Sequence, residues 1–120
     1  MLDVILPAVR QRLAELPAEY GGRIAAEIRT DTAERLWVLL ESARYFGEIE
    51  ISAPDFRPYR YAAFQLLDKE SDPQQALAFV YYDREGDSAD DVLAGLNRGF
   101  AKMVSDGECQ MQALFGDNKN

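Results

Sequence analysis

The spacing of apolar and polar positions changes period several times along the chain, and each change predicts an element. Between Asp3 and Leu16, the apolar residues Ile5, Leu6, Val9, Leu13 and Leu16 recur at three and four, with Arg10, Gln11, Arg12 and Glu15 between them. That stripe predicts an amphipathic helix. Pro7 is expected in its first turn, where a missing N–H costs little, and Pro17 with Gly21-Gly22 is expected to close it. In Arg23–Arg29, Ile24, Ala26 and Ile28 alternate with Ala25, Glu27 and Arg29, which favours a short strand, although Ala-Ala-Glu also suits a helix. Asp31-Thr32-Ala33-Glu34 has capping-box spacing, and Leu36, Trp37, Leu40 and Ala43 continue on one helical face. A helix is preferred there over a strand through Leu36–Leu40 pairing with Ile24–Ile28. Tyr45–Ser52 returns to period two, with Tyr45, Gly47, Ile49 and Ile51 against Phe46, Glu48, Glu50 and Ser52, the pattern of a half-buried strand.

Tyr59–Val104 is the stretch around which the rest is arranged. The runs Tyr59–Asp68 and Leu77–Tyr82 are apolar on both faces, which predicts two central strands. Asp68–Gln75 joins them with charge, a proline and no apolar residue, as an exposed connection requires. From Ser88 the residues Val92, Leu93, Leu96, Phe100, Met103 and Val104 form one helical stripe, with Ser88 as N-cap, Asp90 and Asp91 at the positive end of the dipole and Gly107 as its stop. Gly95 and Gly99, one turn apart, imply close approach of helix to sheet. A membrane contact is disfavoured, because no apolar run reaches the ~20 residues that span a bilayer. After Gly107, Cys109, Met111, Ala113 and Phe115 alternate with Glu108, Gln110 and Gln112, a last strand on a free sheet edge or a continued helix. Residues 117–120 are expected to be a disordered tail. The whole predicts one α+β domain over residues 1–116, with an N-terminal helix, an antiparallel sheet of four or five strands and a long helix over about 88–105 packed on it.

Charge narrows the partners. With 21 acidic against 13 basic residues the net charge is −8, which repels nucleic acid phosphates and anionic membranes and favours a basic protein partner, if charge does more than keep the domain soluble. Met1-Leu2-Asp3 has no basic leader character and Pro7 interrupts Val4-Ile5-Leu6, so a cytoplasmic location is expected. Cys109 is the only cysteine, which removes internal disulfides and CxxC sites; the absence of histidine removes histidine-based catalysis and the common zinc and haem sites.

What chemistry remains belongs to carboxylates, Arg, Lys and Tyr. Asp83–Asp91 holds five acids in nine residues, but an EF-hand counted from Asp83 needs Gly where the chain has Ser88 and Glu where it has Ala94. No metal is expected there, and no cofactor, since no Gly-rich run has phosphate-binding spacing. Glu48 and Glu50 project from one strand face about 7 Å apart, a spacing open to acid–base work but common on solvated faces. Tyr61, Tyr81, Tyr82 and Arg60 line a pocket or fill the rim of the core. Phe56, between Pro54 and Pro58 and followed by Arg57, has the composition of an interface anchor, or of a lid on the core.

Two functions fit this inventory. The first is a non-catalytic protein-binding module, an inhibitor of or chaperone for another protein, with Glu48, Glu50, Phe56, Arg57, Asp83, Glu85 and Asp87 as partner-binding residues and the C-terminal edge strand as an acceptor of a partner strand. Small acidic bacterial immunity proteins, antitoxins and secretion chaperones share this size and charge, without a motif in common. The alternative is a small enzyme or ligand-binding domain with a Tyr/Arg/carboxylate pocket, which predicts a cavity between sheet and helix holding an acid of raised pKa. A homodimeric scaffold is the fallback, and no residue is assigned a catalytic role.

Overall fold

The computed structural model describes residues 1–53 and 58–115, the side chains of 106–115 excepted. Phe56, Arg57 and the tail 117–120 therefore lie outside the described residues. The elements follow as α1 (Leu2–Tyr20), β1 (Ala25–Asp31), β2 (Leu36–Glu41), β3 (Tyr45–Ile51), β4 (Ala62–Asp68), β5 (Leu77–Tyr82) and α2 (Ala89–Phe115). The five strands form one antiparallel sheet in the order β1-β2-β3-β4-β5, so every neighbour in space is a neighbour in sequence. This is the α+β arrangement the pattern predicts.

Both helices cover the same face. Ile5, Leu6, Val9, Leu13 and Leu16 of α1 and Val92, Leu96, Phe100 and Met103 of α2 share one core with Leu36, Val38 and Leu40 of β2, Tyr45, Ile49 and Ile51 of β3, and Ala62, Phe64 and Leu66 of β4. The glycine pair in α2 sets how closely it sits. A Cβ on Gly95 would lie 2.5 Å from the Tyr81 ring, and one on Gly99 would overlap the ring of Phe64. Only hydrogen at those positions admits the aromatic rings, as their spacing implied. Ser88 caps α2: its Oγ accepts the Asp91 N–H at 3.2 Å, while the Asp91 carboxylate accepts the Ser88 N–H at 2.8 Å. Arg12 ties the helices together, donating to Asn97 Oδ1 at 2.7 Å and to Glu19 Oε2 at 2.7 Å, 5.7 Å from the Phe100 ring centroid.

Four expectations are corrected. Leu36–Glu41 is a strand and not a helix, because Thr32 is used differently: its Oγ1 accepts the N–H groups of Glu34 (3.2 Å) and Arg35 (3.0 Å), and its own N–H donates to the Arg35 carbonyl, so a tight turn replaces the capping box. Neither proline behaves as expected, since α1 starts at Leu2 and runs to Tyr20, leaving Pro7 and Pro17 both inside it. β5 is an edge strand and not a central one: no described strand lies beyond it, and its residues are exposed or half-buried, with Ala78, Phe79 and Tyr81 packed against the core. Gly107 does not stop α2, which runs past the expected end near 105 to Phe115, so of the two readings left open for the last segment the continued helix is the one found.

Candidate functional site

With both helices on one face, strand alternation turns the other residues of the sheet outward. Register aligns them in three rows: Trp37–Glu50–Ala63–Tyr82, Leu39–Glu48–Gln65–Val80, and Glu41–Phe46–Leu67–Leu77. The rows differ in kind. The first two hold an ordered polar network. The guanidinium of Arg35 clasps Glu50 through Nη2 at 2.6 Å and Nε at 3.0 Å and lies 5.1 Å from the Trp37 ring centroid, while Trp37 Nε1 donates to Glu48 Oε2 at 2.8 Å. Glu50 raises the Arg35 pKa. On the far side Gln65 Nε2 donates to Tyr82 Oη at 2.7 Å, and the Tyr82 ring packs 5.8 Å from that of Tyr59. Between these groups lies a cleft of about 260 Å³ lined by Glu48, Glu50, Pro58, Tyr59, Ala63, Gln65 and Tyr82.

Apolar exposure marks the third row. Phe46, Leu67 and Leu77 are 50%, 46% and 55% exposed and follow one another across β3, β4 and β5, with Val80 exposed nearby. Single exposed leucines are ordinary on a protein surface, whereas these three apolar side chains lie side by side across three strands as one exposed row. Lys69 Nζ stands 4.6 Å from the Phe46 ring and binds Glu41, so charge rims the row.

The residues expected to bind a partner are dispersed. Glu48 and Glu50 do share the open face, but only Glu48 is exposed. Asp83 is 2% exposed, contrary to its expected place on the surface: its Oδ1 accepts the N–H groups of Arg60, Tyr61 and Ala62 at 3.0, 2.7 and 2.7 Å and pins the approach to β4. Glu85 is exposed, and Asp87 is half-buried, accepting the Arg84 N–H at 3.0 Å and the Tyr81 hydroxyl at 3.3 Å. Burial, then the Asp87 and Asp83 charges, push the Tyr81 pKa up. These three acids follow β5, two strands away from β3. Sequence reasoning missed Arg35, Trp37, Phe46, Leu67 and Val80. The signal for Trp37 was the period-two placement of Trp37, Leu39 and Glu41, hidden inside a continuous apolar run.

A second concavity of about 370 Å³ lies between α1 and β1, where Leu13, Leu16, Pro17, Ile24, Ala26 and Ile28 make an apolar groove. Its carboxylate, Asp31, is taken by Arg10 Nε at 2.7 Å. The carboxylates whose pKa is shifted, Asp3, Glu19, Asp68 and Asp91, all shift downward and line neither concavity. Among the described residues no group of three or more His, Cys, Asp or Glu side chains is placed to hold a metal, and no helix is long and apolar enough to cross a membrane. No family model, no curated protein and no solved structure matches this chain, so what its open face does is read from that face's own chemistry.

Proposed function

We propose that the protein is a non-catalytic, cytoplasmic docking module that binds a basic protein through the open face of its sheet, as an inhibitor or chaperone of the immunity or antitoxin kind. The observation that carries this reading is the apolar row Phe46–Leu67–Leu77, exposed across three strands and bordered by Glu41 and Glu48. Protein interfaces are built this way, with an apolar centre inside a polar rim. The net charge of −8 supplies long-range attraction for a basic surface, and the acids at the rim supply orientation. The Arg35–Glu50 and Trp37–Glu48 contacts hold the aromatic and acidic groups in place before any partner arrives, which lowers the entropy lost on binding.

The test uses the tagged protein and its Leu67→Lys and Glu48→Lys variants as baits in host lysate at low and high salt, with mass spectrometry of what is retained. One stoichiometric basic protein is expected on the unmodified bait, released by salt, with affinity about tenfold or more weaker for Leu67→Lys. Thermal melts of the baits check that the fold is intact. Absence of such a partner, or equal retention by all three baits, overturns the reading.

A further inference from the structure

The acids on the open face are not alike. By register the strands place Glu27, Glu41, Glu48 and Glu50 there. Three of them are met by a cation: Glu27 by Arg29 at 3.1 Å, Glu41 by Lys69 at 2.5 Å and Glu50 by Arg35 at 2.6 Å. Glu48 is held instead by the neutral indole N–H of Trp37 at 2.8 Å, and among the described residues no Lys or Arg pairs with it. Its position is fixed while its charge is left unpaired.

That carboxylate lines the cleft of about 260 Å³, which no described Lys or Arg lines. Ala63 makes the hollow. It stands between Glu50 and Tyr82 in the first row, and its methyl group leaves open the space a longer side chain would fill. Tyr59 and Tyr82, with ring centroids 5.8 Å apart and planes tilted by 31°, form an aromatic wall. Gln65, the cross-strand partner of Glu48, gives an amide N–H to Tyr82 Oη and keeps its carbonyl oxygen as an acceptor.

A carboxylate, two π faces and an amide oxygen all attract positive charge, and an anion entering here would meet Glu48. The volume falls below the roughly 300–1,000 Å³ of pockets that bury drug-sized ligands, and suits one long side chain or a molecule of that size. We propose that this cleft binds an aliphatic cation: the head, a primary ammonium or a guanidinium, sits against Glu48 and the Gln65 oxygen, and its methylene stem lies along the rings of Tyr59 and Tyr82. A lysine or arginine side chain of a basic partner has this chemistry, and so has a free alkylamine. Where the cation belongs to a partner, the inference deepens the docking role proposed above and rests on it for the source of the cation alone.

Trp37 is the only tryptophan, so its indole N–H is a single side-chain reporter, hydrogen-bonded to the proposed anchor. The isotope-labelled full chain is titrated at constant ionic strength with butylammonium, butylguanidinium, the peptide acetyl-Gly-Lys-Gly-amide and uncharged butanol, and the Trp37 Nε1–H resonance is followed by NMR. Saturable shifts at millimolar concentration are expected for the cations, as suits ligands of few atoms, and none for butanol. Affinity should be about tenfold weaker in Glu48→Gln and in Tyr82→Leu, and unchanged in Asp72→Asn, which removes one exposed charge beyond the other end of β5. Glu48 is exposed, so its variant keeps the test valid if Tyr82→Leu misfolds. No saturable shift, an equal response to butanol, an unweakened Glu48→Gln, or equal losses in Glu48→Gln and Asp72→Asn overturns the inference. Loss of the lysate partner by both Leu67→Lys and Glu48→Gln assigns the cation to that partner. Retention by Glu48→Gln while butylammonium still binds the unmodified protein assigns the cleft to a free amine. A partner lost by Leu67→Lys, with no cation binding at all, leaves the docking role standing and removes the cation site.

Discussion

The two faces of the sheet are made from the same strands and obey different rules. On the covered face, Leu36, Val38, Ile49, Phe64 and Leu66 are fully buried, and the described residues leave no buried side-chain polar atom without a partner. On the open face Trp37, Phe46, Leu67 and Val80 alternate with Glu48, Glu50 and Gln65, and the polar groups are held by one another. Packing dictates identity on the first face. On the second, exposed side chains such as Phe46, Leu67 and Val80 are less constrained by packing. What this teaches is that apolar content alone locates neither core nor site, and that exposure read through register separates them.

The sharpest break of this comparison is a single methyl group on the covered face. Gly99→Ala gains about 1 kcal/mol of helix propensity, but it forces a Cβ into the ring of Phe64, which Phe79 and Phe100 hold from two other sides. Overpacking of that kind costs about 1–3 kcal/mol, so a net loss of up to about 2 kcal/mol is expected in urea unfolding. A gain in stability would mean that α2 stands off the sheet.

Asp68, at the end of β4, gives an intermediate and pH-dependent effect. The Arg44 guanidinium at 2.9 Å, the Glu70 N–H and the Ser71 hydroxyl hold its carboxylate at about 2, below the ordinary 3.8. A carboxyl depressed in the folded state stabilises the fold fully above its unfolded pKa, and that contribution is lost as pH falls from about 4 toward 2. Asp68→Asn should therefore lower stability at neutral pH and flatten the stability–pH curve in that window, as followed by thermal melts. An unchanged slope between pH 4 and pH 2 would remove Arg44 as its determinant.

The smallest effect is expected on the open face. Leu67→Lys replaces a side chain that is already half-exposed, and its stability should stay within about 0.5 kcal/mol of the original even where partner binding is lost. A loss of several kcal/mol would place Leu67 in the core and erase the distinction between the faces.

Much of the fold was legible because period and chemistry agreed. The stripe of α2, its Ser88 cap and its glycine pair all point to one structure, as does the alternation of β3. Where they disagreed, the reading failed. Leu36–Leu40 is apolar at every position because Trp37 and Leu39 lie on an open face that is itself apolar in part, so period two vanished and the Thr32 spacing tipped the segment toward a helix. β5 failed for the same reason: two apolar faces suggested a central strand, although one of them is the outer surface. Glu48 and Glu50 were found by alternation, but their different burial depends on Arg35, a residue fifteen positions from Glu50 that only strand pairing brings near. The acids after β5 looked like one surface cluster; the capture of Asp83 by three backbone N–H groups is a long-range contact that spacing does not encode.

The meander has a consequence in time. Because each strand pairs with its predecessor in the chain, the sheet closes only short loops and can zip up in the order in which the ribosome delivers it, β1 to β5. The helices cannot follow that order. α1 is synthesised first but shares its core with α2, which comes last, so part of the apolar floor of the sheet stays uncovered until Val92–Met103 has left the exit tunnel. A chain stalled before that point would be a finished sheet with α1 alone over it and the ground of α2 bare, the state in which this protein is most exposed to aggregation.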